Sequence, residues 1–404
     1  MSHMSGPTGL LGPSRRMMYY VSLLGFFAIF STTISKNPVL PLFTQALGAD
    51  DTIIGLIAAF SPLAGILFSF PVGVLSDHLG RKRLLIIAGA VFLIAPLLYL
   101  FITNPLWLIP VRFFHGTATA ILGPVISAII AERFPENKGE MLGQYSSATL
   151  IGRTIAPLAG GIIISFFVYS PGLLQYRIVY IVAAFAAVPV FFMTLMYREE
   201  RSAPLNVLPF VAFRESFVQF FSNPRLRGTA CADMATYFAY GALETFLPLY
   251  LFSRGIGAYE TGIIFTVQVL FIAATKPFFG MMADRIDKRI QIGAGLIITG
   301  CAVAVIPILP SFGMFLLASS VFGIGISIST VATSAYVADI AKKEQIGASM
   351  GALSSIMDIG QTSGPLVTGI IITAAGYATG FLTSFLLALA VTVVFAVSVR
   401  RQEG

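Results

Sequence analysis

Charged residues are scarce in this sequence. Only 11% of its 404 residues are Asp, Glu, Lys or Arg, whereas 56% are hydrophobic. A soluble globular chain carries about 25% charged residues, so this composition argues against a water-soluble fold. Cysteine is nearly absent too: Cys231 and Cys301 are the only two, both fall inside apolar runs, and they form neither a disulfide framework nor a metal-binding spacing. We therefore expect a membrane protein that holds no metal and no other cofactor.

The sequence also lacks the common signatures of enzymes. It contains no H-E-x-x-H zinc pair, no G-x-S-x-G nucleophile elbow and no G-x-x-x-x-G-K-S/T phosphate-binding loop. A membrane-embedded enzyme is therefore disfavoured, and we expect no catalytic residues.

Long uncharged runs are abundant in this chain. A helix needs about 20 apolar residues to cross a bilayer, and runs such as 52–76 and 84–111 reach that length. The runs 290–338 and 359–399 are long enough for two helices each, with turns where Pro and Gly cluster. The sequence thus predicts an all-α integral membrane protein with twelve spans. We number these spans in chain order: 17–46, 52–76, 84–103, 105–131, 140–168, 176–197, 228–252, 259–283, 290–309, 312–338, 347–373 and 378–399.

Lysine and arginine are unevenly distributed between the two sides of the predicted membrane. Of the 25 Lys and Arg residues, 19 fall in loops and tails on the side of the N-terminus, two in the loops on the other side and four within spans. Because positive loops stay in the cytoplasm, we expect both termini to be cytoplasmic in a multi-pass protein of the cell membrane. The net charge of +7 is then a signal of topology, and we expect membrane lipids rather than nucleic acid as partners.

One short motif occurs twice. The run Gly73–Arg83 (GVLSDHLGRKR) recurs as Gly280–Arg289 (GMMADRIDKR), at an offset of 207 residues. Six spans per half, repeated in parallel, are a transporter architecture with the binding site between the halves. The predicted organisation is a tail at 1–16, a first half at 17–197, a linker at 198–227, a second half at 228–399 and a tail at 400–404. The linker is either an interfacial helix or a loosely structured segment.

The first copy of this motif resembles the loop between spans 2 and 3 of the major facilitator superfamily. With motifs in spans 1, 5 and 11, the resemblance covers nearly the whole chain. It implies twelve transmembrane helices arranged as two pseudo-symmetric six-helix halves, and a motif that latches the halves in the outward-open state. The latch residues that it implies are Gly73, Asp77, Gly80, Arg81, Lys82 and Glu132 in the first half, and Asp284, Lys288 and Asp339 in the second.

The parts of the latch motif have physical reasons. Gly73 lets two helices approach closely, and Asp77 places an anion where a helix N-terminus or an arginine can hold it. Gly80 makes the turn, and the basic residues after it contact lipid phosphates. The second copy has Asp287 in place of the turn glycine, so we expect two latches of unequal strength. The duplicated latch also disfavours a receptor or scaffold that transports nothing, because such a protein would not need it.

Spans 5 and 11 carry glycines and a proline at matching positions. The pattern in span 5 resembles the antiporter motif of the superfamily, typical of proton-coupled exporters, although Ala156 stands where that motif has glycine. A generic bent, glycine-rich helix is the alternative. Small residues at this spacing permit close packing, and proline kinks a helix. The residues expected to bend these spans are Gly152, Pro157, Gly161, Gly360 and Pro365.

Seven ionisable residues lie within predicted spans, where each is costly and therefore a candidate for function. Lys36, Arg112 and Glu244 fall roughly 24–30 Å from the cytoplasmic ends of spans 1, 4 and 7. In the family those three spans line the central cavity. We therefore expect one cluster, with Glu244 as its titratable carboxylate.

The other four intramembrane charges lie closer to the cytoplasm. Arg153, Lys276 and Asp358 fall at roughly 12–20 Å depth and would form a second group across spans 5, 8 and 11. Asp233 lies only one or two turns from the cytoplasmic edge. For each of the seven intramembrane charges, Glu244 included, the alternative is a salt bridge that only holds helices together.

These features favour a secondary active transporter that works by alternating access. The run Lys36–Phe43 (KNPVLPLF) resembles the helix 1 motif of the drug:proton antiporter branch. We therefore expect proton-coupled export of a small amphiphilic compound or drug, with that compound and protons as partners. A carrier of an organic anion or metabolite (an exchanger or symporter) and a lipid flippase stay as alternatives. The resemblance also suggests a monomer.

Overall fold

The structure, a computed structural model, describes residues 13–199, 220–341 and 346–400. Within these ranges the chain is almost entirely α-helical, as the sequence predicts. Most of the predicted linker, including its candidate interfacial helix, lies outside the described residues. The helices that form the spans, in order, are Pro13–Ile34 with Val39–Ala46, Asp51–Leu79, Arg81–Leu98, Leu108–Arg133, Lys138–Phe166, Leu174–Met196, Pro224–Ser253, Ala258–Ala283, Lys288–Ala304, Phe312–Ile340, and Ile346–Arg400 for the last two.

Ten helices in the described ranges are long and apolar enough to cross a membrane. One of them runs through spans 11 and 12 and is interrupted at Gly376, whose φ is 81°. A β-carbon on Gly380 would press against Ile372, so the segments before and after Gly376 lie side by side and form two crossings. Span 7 is more polar and not among the ten, but its 30 residues are enough to cross. The prediction of twelve spans is confirmed.

Span 1 differs from its prediction as one continuous helix. It is interrupted between Ile34 and Val39. Pro38 lies in this gap, and a proline cannot supply the backbone N–H that a helix interior requires. The interruption brings the neighbouring residues Lys36 and Asn37 to the surface of the cavity described below.

The hydrophobic core is shared by the two halves at one end and divided at the other. One cluster combines buried residues of both halves, among them Phe43 and Tyr180 from the first and Phe246 and Phe381 from the second. Three further clusters each belong to a single half. These three lie toward the face where the described chain begins and ends, called the terminal face below. The halves are therefore joined toward the opposite face and separate toward the terminal face.

The halves pack through two helix pairs, span 2 with span 11 and span 5 with span 8. Glycines permit the close approach. A β-carbon on Gly262 would lie 2.6 Å from the carbonyl oxygen of Pro157, and one on Gly55 would collide with the carbonyl of Pro365. These contacts hold the walls of the cavity at fixed distances from each other.

Candidate functional site

A cavity of about 1210 Å³ lies between the halves. Spans 1, 2, 4 and 5 of the first half and spans 7, 8, 10 and 11 of the second contribute its wall. The wall reaches Ser146 and Gly351, near the terminal-face ends of spans 5 and 11, so the cavity opens toward that face. Ligand pockets for drug-sized molecules occupy about 300–1,000 Å³, and this cavity is large enough for such a molecule.

Contacts between the halves close the opposite face. The hydroxyl of Tyr377 donates a hydrogen bond of 3.0 Å to Oδ1 of Asp51, and the hydroxyl oxygens of Thr52 and Thr373 lie 2.9 Å apart. Beneath them lies the apolar cluster that the two halves share. The cavity is therefore accessible from one side only.

An ion pair joins the halves at the closed end of the cavity. Nζ of Lys36 in span 1 lies 2.5 Å from Oε2 of Glu244 in span 7, and Nδ2 of Asn37 donates a hydrogen bond of 3.0 Å to Oε1. The hydroxyl of Tyr240 also lies against Glu244. The Glu244 side chain is 9% exposed and that of Lys36 is 27% exposed. Since charges attract more strongly where water is scarce, this contact ties span 1 to span 7.

Arg112 lines the same cavity from span 4 but stands apart from that pair. Its side chain is 2% exposed, and it forms no ion pair with a carboxylate of the described residues. The hydroxyl of Tyr99 lies against its guanidinium, and Tyr99 stacks on Tyr180 with ring centroids 4.3 Å apart. His115 is buried beside Tyr99. Arg112 is thus a buried cation held by aromatic neighbours.

Arg153, Lys276 and Asp358 face the cavity from spans 5, 8 and 11. The charges of Arg153 and Lys276 are close enough to repel each other, and neither residue is ion-paired with an acidic residue that the structure describes. Asp358 lies against span 2, where a β-carbon on Gly65 would stand 2.6 Å from Oδ2. The three residues therefore share one cavity without salt bridges between them.

Asp233 in span 7 is not part of the cavity wall. It is 3% exposed, and its Oδ1 accepts a hydrogen bond of 2.9 Å from Oγ1 of Thr333 in span 10. The positive charge of Lys276, which lines the cavity, attracts the Asp233 carboxylate. The hydrogen bond holds two spans of the second half together.

Two ion pairs occupy the expected latch positions. Arg81 binds both carboxylate oxygens of Glu132, and Nζ of Lys288 lies 2.9 Å from Oδ2 of Asp339. Each pair joins two spans of one half. The side chains of Arg81 and Glu132 are 8% and 16% exposed, whereas that of Asp339 is 57% exposed. The first pair is therefore better shielded from water than the second.

The other expected latch residues lie beside these pairs. Gly80 has a φ of 84°, a conformation that favours glycine, and it makes the turn between spans 2 and 3. Lys82 is half-buried, and Asp284 is exposed at the end of span 8. Gly73 and Asp77 lie within the span 2 helix, but the surroundings of the first and the side chain of the second lie outside what the structure describes.

Gly152, Gly161 and Gly360, three of the residues expected to bend spans 5 and 11, lie close to the backbones of neighbouring helices. A β-carbon on Gly152 would stand 2.7 Å from a carbonyl oxygen of span 1, and one on Gly360 would stand 2.5 Å from a carbonyl oxygen of span 7. One on Gly161 would press against a carbonyl of span 8. Pro157 and Pro365 lie inside the same two helices, where they remove a backbone hydrogen bond.

A sequence model described as the Major Facilitator Superfamily matches residues 21–265 and 253–404. The two matches together span both halves. The chain belongs to the Major Facilitator Superfamily.

Individual relatives agree with this assignment. The chain is 23% identical over 384 residues to an uncharacterized MFS-type transporter of Methanocaldococcus jannaschii, covering 93% of this chain and 98% of that protein. It is 23% identical over 367 residues to a multi-drug resistance efflux pump PmrA homolog of Lactococcus lactis, covering 89% and 88%. Both relatives are transporters by name.

The fold also matches a solved structure. A bacterial homolog to the human lysosomal transporter Spinster, in an inward-facing and unoccupied conformation, has a TM-score of 0.80 to this chain. The sequences are 16% identical, and the match covers 97% of this chain and 98% of that one. The fold and the relatives of this multi-pass membrane protein are those of transporters rather than enzymes.

Three residues that lie against the predicted cavity charges escaped the sequence analysis. Asn37 is detectable in principle, because it lies within the run that resembles the helix 1 motif. Tyr240 precedes Glu244 by four residues and so lies on the same helix face, which could also have been read from the sequence. Gly65 offered no signal, since its contact with Asp358 depends on which helix packs against span 2.

Proposed function

We propose that this superfamily member exports a small amphiphilic compound in exchange for protons, by alternating access. The observation that carries the proposal is the ion pair of Lys36 and Glu244, which joins the halves at the closed end of the cavity. The relative named as a homolog of a multi-drug efflux pump supports export as the direction. The protein works as a monomer in the cell membrane, with the compound, protons and lipids as partners.

The terminal face is assigned to the cytoplasm in this proposal. Loops and tails on that side contain 19 of the 25 Lys and Arg residues, and positive loops stay in the cytoplasm. The cavity is then open to the cytoplasm, as in the inward-facing structure to which the fold is similar. A compound dissolved in the cytoplasm or in the inner leaflet enters it directly.

Glu244 is the proton carrier in this mechanism. In the inward-facing state its carboxylate is paired with Lys36 and bonded by Asn37, which is the arrangement expected after a proton has left to the cytoplasm. When the cavity faces outward, spans 1 and 7 have separated, and Glu244 without Lys36 beside it binds a proton more readily. On the return to the inward-facing state Lys36 approaches Glu244 again, favours its ionised form and displaces the proton toward the cytoplasm.

The division of the core supports alternating access. The halves share apolar contacts toward one face and are separate toward the other, so a rocking motion would exchange the open and closed ends. The outward-open state is then held by the latch segments around Asp77 and Asp284, which the ion pairs of Arg81 and Lys288 keep in place. Spans 5 and 11 bend during this motion at their glycines and prolines, the residues Gly152, Pro157, Gly161, Gly360 and Pro365.

A second candidate function is favoured by the charges of the cavity. Its wall contains four cations, Lys36, Arg112, Arg153 and Lys276, but only two carboxylates, Glu244 and Asp358. An excess of positive charge suits an organic anion, carried by exchange or symport rather than by proton antiport. The two candidates differ in how flux depends on a pH gradient.

Transport by the purified protein in proteoliposomes tests the proposal. A panel of amphiphilic cations, neutral compounds and anions is offered with and without a pH gradient. We expect the wild type to move at least one compound against its gradient at the expense of the proton gradient. Glu244→Gln should lose this gradient-driven flux but keep exchange of compound for compound. Glu140→Gln, which removes an exposed carboxylate at the terminal-face end of span 5, is the matched control and should behave like the wild type.

Each contrary outcome has a separate meaning. If Glu244→Gln keeps full gradient-driven transport, Glu244 is not the proton carrier. If anions move at a rate independent of the pH gradient, the second candidate replaces the first. If the wild type moves nothing under any gradient, the protein is not a transporter of the compounds tested and the proposal fails.

A further inference from the structure

Two cations from opposite halves face the cavity on the terminal-face side of the Lys36–Glu244 pair. Arg153 belongs to span 5 and Lys276 to span 8. Oγ1 of Thr266 donates a hydrogen bond of 3.0 Å to the carbonyl oxygen of Thr154, which aligns these two antiparallel helices. Lys276 follows Thr266 by ten residues, so its backbone lies about 15 Å nearer the terminal face than that of Arg153.

The directions of the two side chains reduce this separation. In a helix, each side chain leans toward the N-terminus of its own helix. Span 5 begins at the terminal face and span 8 begins at the opposite face. Arg153 therefore leans toward the terminal face and Lys276 leans away from it, so the two side chains approach each other. This agrees with the repulsion between their charges.

The carboxylates near these two cations form no salt bridge with them. Among the residues that the structure describes, none forms an ion pair with Arg153 or Lys276. Asp358 lies against span 2, and Glu244 is paired with span 1. Asp233 attracts Lys276 from outside the cavity wall, but its Oδ1 accepts a hydrogen bond from Thr333 of span 10. Both residues are exposed to the open cavity, and an anion that binds between their two like charges offsets the repulsion between them. The two residues meant here are Arg153 and Lys276.

We propose that Arg153 and Lys276 together bind an anionic group of the transported compound, which is therefore an amphiphilic anion. A carboxylate, sulfonate, sulfate or phosphate between them accepts charge-assisted hydrogen bonds from both and links one half to the other. Apolar residues of the same cavity, including Ile29, Val269 and Ile272, receive the rest of the molecule. The inference rests on the proposed function in taking this cavity as the transport site, and it holds for either candidate.

Binding to the purified full-length protein in detergent tests the site without requiring transport. The probes are 2-naphthalenesulfonate and the neutral 2-naphthalenesulfonamide, compared by equilibrium dialysis at low salt. We expect the wild type to bind the sulfonate about tenfold more tightly or better, as one charge-assisted hydrogen bond provides. Arg153→Gln and Lys276→Gln should each lose this preference, and Arg153→Lys and Lys276→Arg should retain most of it.

The control variant is Arg285→Gln, which removes an exposed cation from the terminal-face end of span 8 outside the cavity wall. It should bind both probes as the wild type does. Equal binding of the two probes by the wild type would overturn the proposal, and so would a preference that survives in both Gln variants. If a Gln variant does not fold, judged by its melting curve, the corresponding Met variant takes its place.

An amphiphilic anion has two sources, a soluble compound and an anionic lipid, and both present the same chemistry to the two cations. Competition with short-chain phosphatidylglycerol and phosphatidylcholine separates them. If phosphatidylglycerol displaces the sulfonate and phosphatidylcholine does not, the site binds an anionic lipid headgroup. If neither lipid displaces the sulfonate, the site binds a soluble anion. Because this assay measures binding and the liposome assay measures flux, either proposal can fail while the other stands.

Discussion

Gly262 in span 8 packs against Pro157 in span 5, and a β-carbon on Gly262 would stand 2.6 Å from the Pro157 carbonyl oxygen. The obstacle is backbone, so it cannot move aside as the end of a side chain can. The contact joins the two halves on the closed side of the cavity. We therefore expect Gly262→Val to weaken the closed face and to increase the population of the state that is open there.

A cysteine at Thr52 reports this shift. In a background without Cys231 and Cys301, Thr52→Cys should react faster with a membrane-impermeant maleimide when Gly262→Val is present. Gly313→Val is the control, since no atom outside its own helix lies within 4 Å of the added β-carbon and Gly313 is not part of the cavity wall. An unchanged labelling rate in Gly262→Val would show that this contact does not limit opening.

Lys36 and Glu244 should be coupled in energy. Either replacement alone leaves a poorly hydrated charge without its partner, whereas replacing both removes the pair. We expect Lys36→Met with Glu244→Gln to destabilise the protein by less than the sum of the single changes, with a coupling of about 0.5–3 kcal/mol. Unfolding in detergent measures it. Lys82→Met with Glu244→Gln, a pair at opposite ends of the bundle, should be additive, and additivity of the first pair would contradict the prediction.

The two latch pairs should differ in strength. Glu132 holds Arg81 in a shielded site, so Glu132→Gln leaves a largely buried cation and should reduce the free energy of unfolding by about 3 kcal/mol or more. Asp339 is 57% exposed, so Asp339→Asn should cost below about 1 kcal/mol. Both are measured by unfolding of the purified protein, and equal effects would mean that exposure does not govern these pairs.

Replacing Asp233 and replacing Asp358 should have different effects on substrate binding. Asparagine at 233 can still accept the hydrogen bond from Thr333, and that position is off the cavity wall. Asp233→Asn should therefore change binding of 2-naphthalenesulfonate less than Asp358→Asn does, and only through the lost attraction between its charge and Lys276. Asp358→Asn removes a negative charge from the cavity and should tighten binding of 2-naphthalenesulfonate by roughly two- to tenfold. Dialysis of both variants measures the effects. Weaker binding by Asp358→Asn would contradict the prediction and would mean that the Asp358 carboxylate itself helps to bind the substrate.

Much of the architecture was predictable from particular residues. Gly73 and Gly280 lie in matching segments, and with the distribution of Lys and Arg they indicate two halves of six spans. Counting residues from the cytoplasmic end of each span also predicts one contact correctly. It places Lys36 and Glu244 at a similar depth in the membrane, and the two side chains meet. The interruption of span 1 was missed, because Pro38 was included in a longer apolar run.

The pairing of the remaining charges could not be predicted. A residue's depth follows from its distance along the helix, but its partner depends on how each helix is rotated and which helix lies opposite. Arg112 lines the same cavity as Glu244, yet its neighbour is the hydroxyl of Tyr99. Asp358 faces Gly65 for the same reason. The sequence also does not show which conformation the chain adopts, since the alternating access proposed above requires both an inward-facing and an outward-facing arrangement of one sequence.

Gly376 turns span 11 directly into span 12, so span 11 connects the cavity to the closed face. Tyr377, which bonds Asp51 at the closed face, follows the turn at once, whereas Asp358 lies 18 residues before Gly376 in the same helix. That distance is about 27 Å along a helix. Pro365 rests on Gly55 between the two ends. A bend of span 11 at Gly360 or Pro365, as proposed above, would therefore move Asp358 relative to Tyr377 and couple the cavity to the hydrogen bond that holds Asp51.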